Sequence, residues 1–171
     1  MPLKNENDIF SVLYHRHAKA VYNAIYRMVN HTAEAEDLLQ ETFLSVHEAL
    51  DKLDTITHVE GWIRRIALNK AISHLRKQKI RFSDFPSTDV EAEDDYDINE
   101  DDIFENRLDD VRNSIENLAP GYKTIVNLYL FEQVSQEEIG RMLGLSHTTV
   151  RTQYHRAKKK ILLSLKDKVY E

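Results

Sequence analysis

Arg151, Thr152, His155, Arg156 and Lys159 recur at i, i+1, i+4, i+5 and i+8, a spacing that gathers them on one side of a helix. The chemistry open to such a stripe is nucleic-acid recognition. A guanidinium forms paired hydrogen bonds with guanine, threonine and histidine reach base edges, and ammonium groups neutralise phosphates. Lys158, Lys159 and Lys160 supply those ammonium groups. Val150, Tyr154, Ala157, Ile161, Leu162 and Leu165 fall on another side of the same stretch and suit a core. A lone Lys-rich helix is most often a solvated face, so the residues preceding this one decide the matter.

Those residues position the stripe. Ser135-Gln136-Glu137-Glu138 has the pattern of a capping box, in which a hydroxyl and a carboxylate satisfy each other's free backbone donors at a helix start. Ile139, Met142 and Leu143 then form one apolar face, and Gly144 stands where a left-handed residue ends the helix. Leu145 packs inward and Ser146 caps the next helix. The series Ile139, Gly140, Leu143, Gly144, Leu145, Ser146, Val150 has the spacing of a helix-turn-helix, with a small residue permitting close crossing and Val150 anchoring the second helix. Repressors, activators and polymerase specificity factors all use this geometry, so it names DNA as the target without naming the task.

A second basic run lies far upstream. No acid occurs from Arg64 to Arg81, and the run follows Gly61-Trp62-Ile63 in a helical pattern. Between the two basic segments, Asp84 to Asp110 holds thirteen acids and one base, Arg107. The formal net charge of −6 averages over this segregation: outside that stretch remain 22 of the 23 bases and 16 of the 29 acids, an excess of positive charge. Two basic bodies joined by an acidic tether are the electrostatic prerequisite for touching phosphates in two places.

The 171 residues are 42% hydrophobic with four Gly and three Pro, which predicts a helix-rich protein of one or two small domains. From Asp8 to about Ile80 the apolar spacing predicts three helices, roughly 7–29, 33–51 and 59–80, with Thr32 capping the second and a loop over 54–61 feeding the third. Residues 83–106 carry Pro86, Ser83, Ser87, Thr88 and most of the acids, too little apolar surface to offset ordering entropy, which predicts a disordered linker. From Leu108 the helical pattern resumes with Val111, Ile115 and Leu118, breaks at Pro120-Gly121, and continues through Ile125, Val126, Leu128, Tyr129 and Leu130.

Several classes fall away. With no cysteine there is no disulfide framework, thiolate zinc site or cysteine nucleophile. No phosphate-binding Gly loop, Gly-x-Ser-x-Gly elbow or His-Glu-x-x-His pattern occurs, so no enzyme, cofactor or metal is expected. His15 and His17 do not share a helix face, which argues against a metal pair. Asp95, Asp97, Asn99 and Asp101 have the spacing of a calcium loop, but Glu100 stands where Gly makes the turn and Asn106 where a bidentate Glu is needed. No apolar run approaches the ~20 residues that cross a bilayer, and the first residues hold no signal-peptide core, so cytoplasmic residence is expected.

Trp62 alone is usually core and Asn69 alone usually a solvated helix residue. Together with "AEDLLQETF" at residues 35–43, however, the segment "WIRRIALNK" from Trp62 to Lys70 resembles region 2 of bacterial RNA polymerase sigma factors. "SQEEIGRMLGLSHTTVRTQYHRAKKKI", residues 135–161, resembles their region 4. The likeness covers nearly the whole chain apart from the linker, and the two-region layout is similar to the extracytoplasmic-function (ECF) group of the sigma-70 family.

The resemblance implies an all-α fold of two small helical domains, region 2 over residues 1–82 and region 4 over 107–171, joined by a flexible acidic linker over 83–106. It implies a transcription initiation factor that binds core RNA polymerase through the β′ clamp helices and the β flap, recognises −10 and −35 promoter elements, and promotes DNA melting. Asp37, Gln40 and Glu41 match the region that docks on the clamp helices. The loop at 54–61 corresponds to the part that holds a flipped base; Trp62, Arg65, Asn69, Lys70, Arg76 and Lys77 correspond to the −10 contacts. Thr149, Arg151, Thr152, His155, Arg156 and Lys159 match the −35 contacts. An anti-sigma factor is an implied partner. Ser73, Gly140 and His155 depart from common family choices, which leaves the base preferences open.

A stand-alone helix-turn-helix regulator is the competing expectation; it accounts for residues 108–168 but leaves "AEDLLQETF" and "WIRRIALN" without a role. The acidic linker admits two roles, a solubilising tether or a phosphate mimic that lies against the basic segments and suppresses DNA binding.

Overall fold

A computed structural model describes residues 5–78, 80–82 and 108–169, with side chains to residue 167. These fall into two compact units divided between residues 79 and 80. The linker expected at 83–106 and the calcium-like spacing within it lie outside the described residues.

In the first unit, α1 runs Glu6–Val29. Asn5 caps it with a side chain that accepts from the Asn7 N–H at 3.4 Å. Asn30 ends it at φ 50°, donating to the Tyr26 carbonyl at 2.8 Å; asparagine is one of the few residues that tolerate this left-handed backbone. Helix α2 runs Thr32–Glu48. His31, not the expected Thr32, is its cap: its backbone is extended (φ −146°, ψ 123°) and its Nδ1 accepts from the Glu34 N–H at 3.3 Å. Thr32 is already helical, so its hydroxyl does not face the orphan amides as a cap must.

Helix α2 ends earlier than the expected residue 51, and a 3-10 turn occupies Leu50–Thr55. The third helix, α3, starts at Val59 and ends at Lys77. The loop expected over 54–61 therefore contracts to residues 56–58, with Gly61 and Trp62 in the first turn of α3. The three helices pack on one another. Ile25, Val46, Ile63, Ala67 and Leu68 are among the fully buried residues at the centre; each large side chain contributes about 1.5–3 kcal/mol by leaving water. Buried Thr42 satisfies its hydroxyl by donating to the Leu38 carbonyl at 2.7 Å. At one end, Glu34 of α2 meets His74 at 3.1 Å and accepts from Gln78 at 2.9 Å, tying the start of α2 to the end of α3.

The second unit contains α4 (Leu108–Glu116), α5 (Pro120–Val126), a π turn (Asn127–Phe131), α6 (Gln136–Leu143) and α7 (His147–Val169). Pro120 does not merely interrupt a helix; it opens α5, where its missing N–H and fixed φ are no cost. Helices α4, α5 and α6 all pack on α7, whose Val150, Tyr154, Ala157, Ile161 and Leu165 are buried as the apolar spacing predicts. Leu162 is only half-buried. Tyr122 is fully buried, and Tyr129 meets the Tyr154 ring edge-on at 4.4 Å.

Candidate nucleic-acid interface

The polar and basic stripe expected to face DNA is positioned by the turn before it. Ser135 Oγ accepts from the Glu138 N–H at 3.2 Å to start α6, while the Glu138 carboxylate holds Arg141 at 2.7 Å. Arg141 also pairs with Glu137 at 2.7 Å, and these bonds raise its pKa, the Glu137 hydrogen bond most of all. Gly144 ends α6 at φ 70°. The Gly140 carbonyl then accepts from Leu145 N–H at 2.9 Å, and a Cβ on Gly140 would stand 2.7 Å from the Leu145 carbonyl oxygen. The close approach that the small residue permits is thus to the turn backbone itself. Ser146 Oγ accepts from the Thr149 N–H at 3.1 Å and shares a hydrogen bond with the Thr149 hydroxyl at 2.7 Å. Thr149 therefore serves the cap of α7 as well as standing at the candidate surface.

Thr152, His155, Arg156 and Lys159 occupy an arc of about 100° opposite the buried stripe of α7, given ~100° per helical residue. Arg151 flanks them. Arg151, Thr152 and His155 are exposed; Arg156 and Lys159 are half-buried. Of the three consecutive lysines, Lys158 lies over the Tyr154 ring at 4.9 Å and Lys160 over Tyr122 at 5.7 Å. Three successive helix residues cannot share a face, so only Lys159 joins the outward stripe and its neighbours lie over aromatic faces.

In the first unit, the candidate residues of α3 also converge. Trp62, Arg65, Asn69 and Arg76 share a side pointing away from Ile63, Ala67, Leu68, Ala71, Ile72 and Leu75, which are buried. Lys70 and Lys77 form its margin, within an overall arc of about 140° at the same helical pitch. Asn69, Arg76 and Lys77 are exposed, and Trp62 is half-buried with part of its ring on the core. Arg64 is not on this side: it pairs with Glu60 at 3.0 Å. His17 of α1 faces that pair. Burial holds its pKa below 6.5, Glu60 opposes the shift, and Arg16 and Arg64 reinforce it.

Asp37, Gln40 and Glu41 are exposed together on α2. Between them and the end of the helix stands a residue the charge pattern did not single out, Leu44, 64% exposed. Its signal was present in the sequence as the one large aliphatic residue that interrupts the polar side of α2.

Sigma-70 region 2 matches residues 13–80 and sigma-70 region 4 matches residues 108–161. The RNA polymerase sigma factor CarQ of Myxococcus xanthus is 33% identical over 156 residues, 90% of this chain and 87% of CarQ. The chain belongs to the sigma-70 family of RNA polymerase sigma factors. ECF sigma factor SigW of Bacillus subtilis is 28% identical over 96% of this chain and 92% of its own. ECF sigma factor SigE of Mycolicibacterium smegmatis is 34% identical over 87% of this chain, which spans 58% of SigE. Among solved structures, CnrH in complex with the cytosolic domain of CnrY superposes with a TM-score of 0.56 at 24% identity, covering 96% of this chain and 91% of CnrH. RpoE from Bartonella quintana, in complex with the anti-sigma factor NepR, gives 0.58 at 19% identity, covering 92% and 96%. These two share the fold.

As an ECF sigma factor, the protein is a transcription initiation factor that directs RNA polymerase to promoters. The match over residues 13–80 accounts for the unit that a stand-alone regulator leaves without a role. No helix among the described residues is long and apolar enough to cross a membrane.

Proposed function

We propose that this sigma factor engages three surfaces through three helices and a fourth, the β flap, through its second unit. Asp37, Gln40 and Glu41 of α2 dock on the β′ clamp helices of core polymerase. Trp62, Arg65, Asn69, Lys70, Arg76 and Lys77 of α3 grip the −10 element. Thr149, Arg151, Thr152, His155, Arg156 and Lys159 at the start of α7 read the −35 element, and the surrounding unit meets the β flap. Residues 1–82 act as region 2, 107–171 as region 4 and 83–106 as the tether between them.

The observation that carries this assignment is the separation of charge within one three-helix unit. The outward side of α2 is acidic with no Lys or Arg, whereas the outward side of α3 is basic. Phosphates are repelled by the first and drawn to the second, so a protein contact and a nucleic-acid contact are kept apart on one body. Promoter opening needs no catalytic group on this chain. Capture of an extruded base next to α3, by residues of the short 56–58 loop and by Trp62, offsets an unstacking cost of a few kcal/mol.

The protein acts in the cytoplasm, where polymerase and promoter DNA reside, and is held in check by an anti-sigma protein; CnrH and RpoE, which share its fold, are described with CnrY and NepR. The test is binding to purified core RNA polymerase by wild type and by the triple variant Asp37→Ala, Gln40→Ala, Glu41→Ala. Tight wild-type binding that the triple variant loses supports the assignment. Duplex DNA binding without polymerase binding by wild type would overturn it.

A further inference from the structure

Leu44 is the most exposed large apolar side chain among the described residues, at 64%. It cannot turn inward, because the rotation of α2 is fixed by Leu38, Phe43 and Val46, which are 4%, 2% and 0% exposed. Its neighbours one and two turns away on the same side are Asp37, Gln40, Glu41, His47 and Glu48, all exposed. His47 is pinned edge-on to the Phe10 ring of α1 at 5.2 Å, which gives this side a fixed margin. A single surface leucine means little by itself. A leucine at the centre of a polar, acidic ring has the arrangement of an interface anchor, where a desolvated apolar group supplies affinity and the ring excludes water.

We propose that Leu44 is the apolar anchor of the polymerase-docking face and inserts into a notch on a basic helical surface of core RNA polymerase. The inference rests on the docking assignment above and deepens it. Charge selects the occupant. Helix α2 carries Glu34, Glu36, Asp37, Glu41 and Glu48 and no Lys or Arg, so promoter phosphates are repelled from it. A second copy of the chain would bring the same acidic ring against itself, a like-charge contact that disfavours a symmetric dimer. A basic protein surface with an apolar recess satisfies both the ring and its centre.

The two parts of the face leave different kinetic signatures. Long-range charge acts on association and its salt dependence, whereas a desolvated anchor acts on dissociation. The experiment measures association and dissociation rates with purified core RNA polymerase at two salt concentrations, for wild type, Leu44→Gln, Leu44→Met and the triple variant. Gln and Met match in size and helix propensity, so their difference reports apolarity rather than folding. Leu44→Gln is expected to weaken binding about 30-fold, mostly through faster dissociation with an unchanged salt dependence. Leu44→Met should stay close to wild type, and the triple variant should associate slowly with a flattened salt dependence.

Equal affinity of Leu44→Gln and wild type, with the triple variant impaired, overturns the anchor and leaves the acidic docking face standing. Wild-type affinity in the triple variant overturns the docking face itself. A wild-type dimer in sedimentation that Leu44→Gln dissolves, with polymerase affinity unchanged, assigns Leu44 to self-association and also overturns the proposal.

Discussion

Arg156 and Lys159 stand one turn apart on the outward stripe of α7, yet their losses should read differently. A guanidinium paired with a base carries sequence information, so Arg156→Ala should cost about 1–3 kcal/mol on the preferred −35 sequence and relax preference at one base pair. An ammonium near phosphate carries none: Lys159→Ala should weaken all sequences alike and reduce the salt slope by about 1. Holoenzyme binding to a panel of single-base promoter variants over a salt series separates the two. His17 makes a different kind of prediction, about stability. Its folded pKa lies below 6.5 because burial disfavours the charged form. The unfolded chain therefore binds more protons between the two values. The stabilising contribution is complete above the unfolded value and is lost as pH falls through it toward the folded pKa. Thermal melting at about pH 7.5 and about pH 5.5 should show a smaller drop in His17→Gln than in wild type.

At the scale of elements, the helix-turn-helix leaves no room for a side chain at Gly140. Gly140 faces the Leu145 carbonyl oxygen so closely that a Cβ would stand 2.7 Å away. Alanine gains about 1 kcal/mol of helix propensity, but displacing backbone costs about 1–3 kcal/mol, so Gly140→Ala should destabilise the unit by about 1 kcal/mol. Urea unfolding checks this, and a stabilised variant would show that the turn yields freely. The opposite sign is expected at Gln133, which adopts φ 54° just before the Ser135 cap. A left-handed backbone costs an ordinary residue ~1 kcal/mol, so Gln133→Gly should raise stability by up to about 1 kcal/mol, measurable by the same unfolding. The need for a small residue at Gly140 was legible in the helix-turn-helix spacing, but the Gln133 effect was not, because its positive φ accompanies the π turn at Asn127–Phe131 and the Val134 N–H bond to the Leu128 carbonyl at 2.9 Å.

For the whole molecule, the proposed division of labour between two units predicts how their losses combine. Asn69 and Arg156 belong to different compact units. If both engage one promoter, Asn69→Ala and Arg156→Ala in the holoenzyme should lose affinity additively in free energy, to within about 0.5 kcal/mol. A double variant no worse than the poorer single one would mean that the units do not grip the same DNA together.

The sequence by itself determined the family, the all-helical architecture and the sides of the helices. Apolar residues at helical spacing must face a core, which leaves Asp37, Gln40 and Glu41, Arg65 and Asn69, and Thr152, His155 and Arg156 on the remaining sides whatever the tertiary detail. Caps and close approaches depend on where the chain goes next, and the tertiary structure decided those. It gave the cap of α2 to His31 and shortened the 54–61 loop to three residues by winding Leu50–Thr55 into a 3-10 turn. It sent Lys158 and Lys160 onto tyrosine rings, and it brought His17 of α1 to Arg64 and Glu60, a pair that helical spacing already turns away from the outward side of α3. Periodicity within one helix fixes which way a residue points; only packing between helices fixes what it meets there.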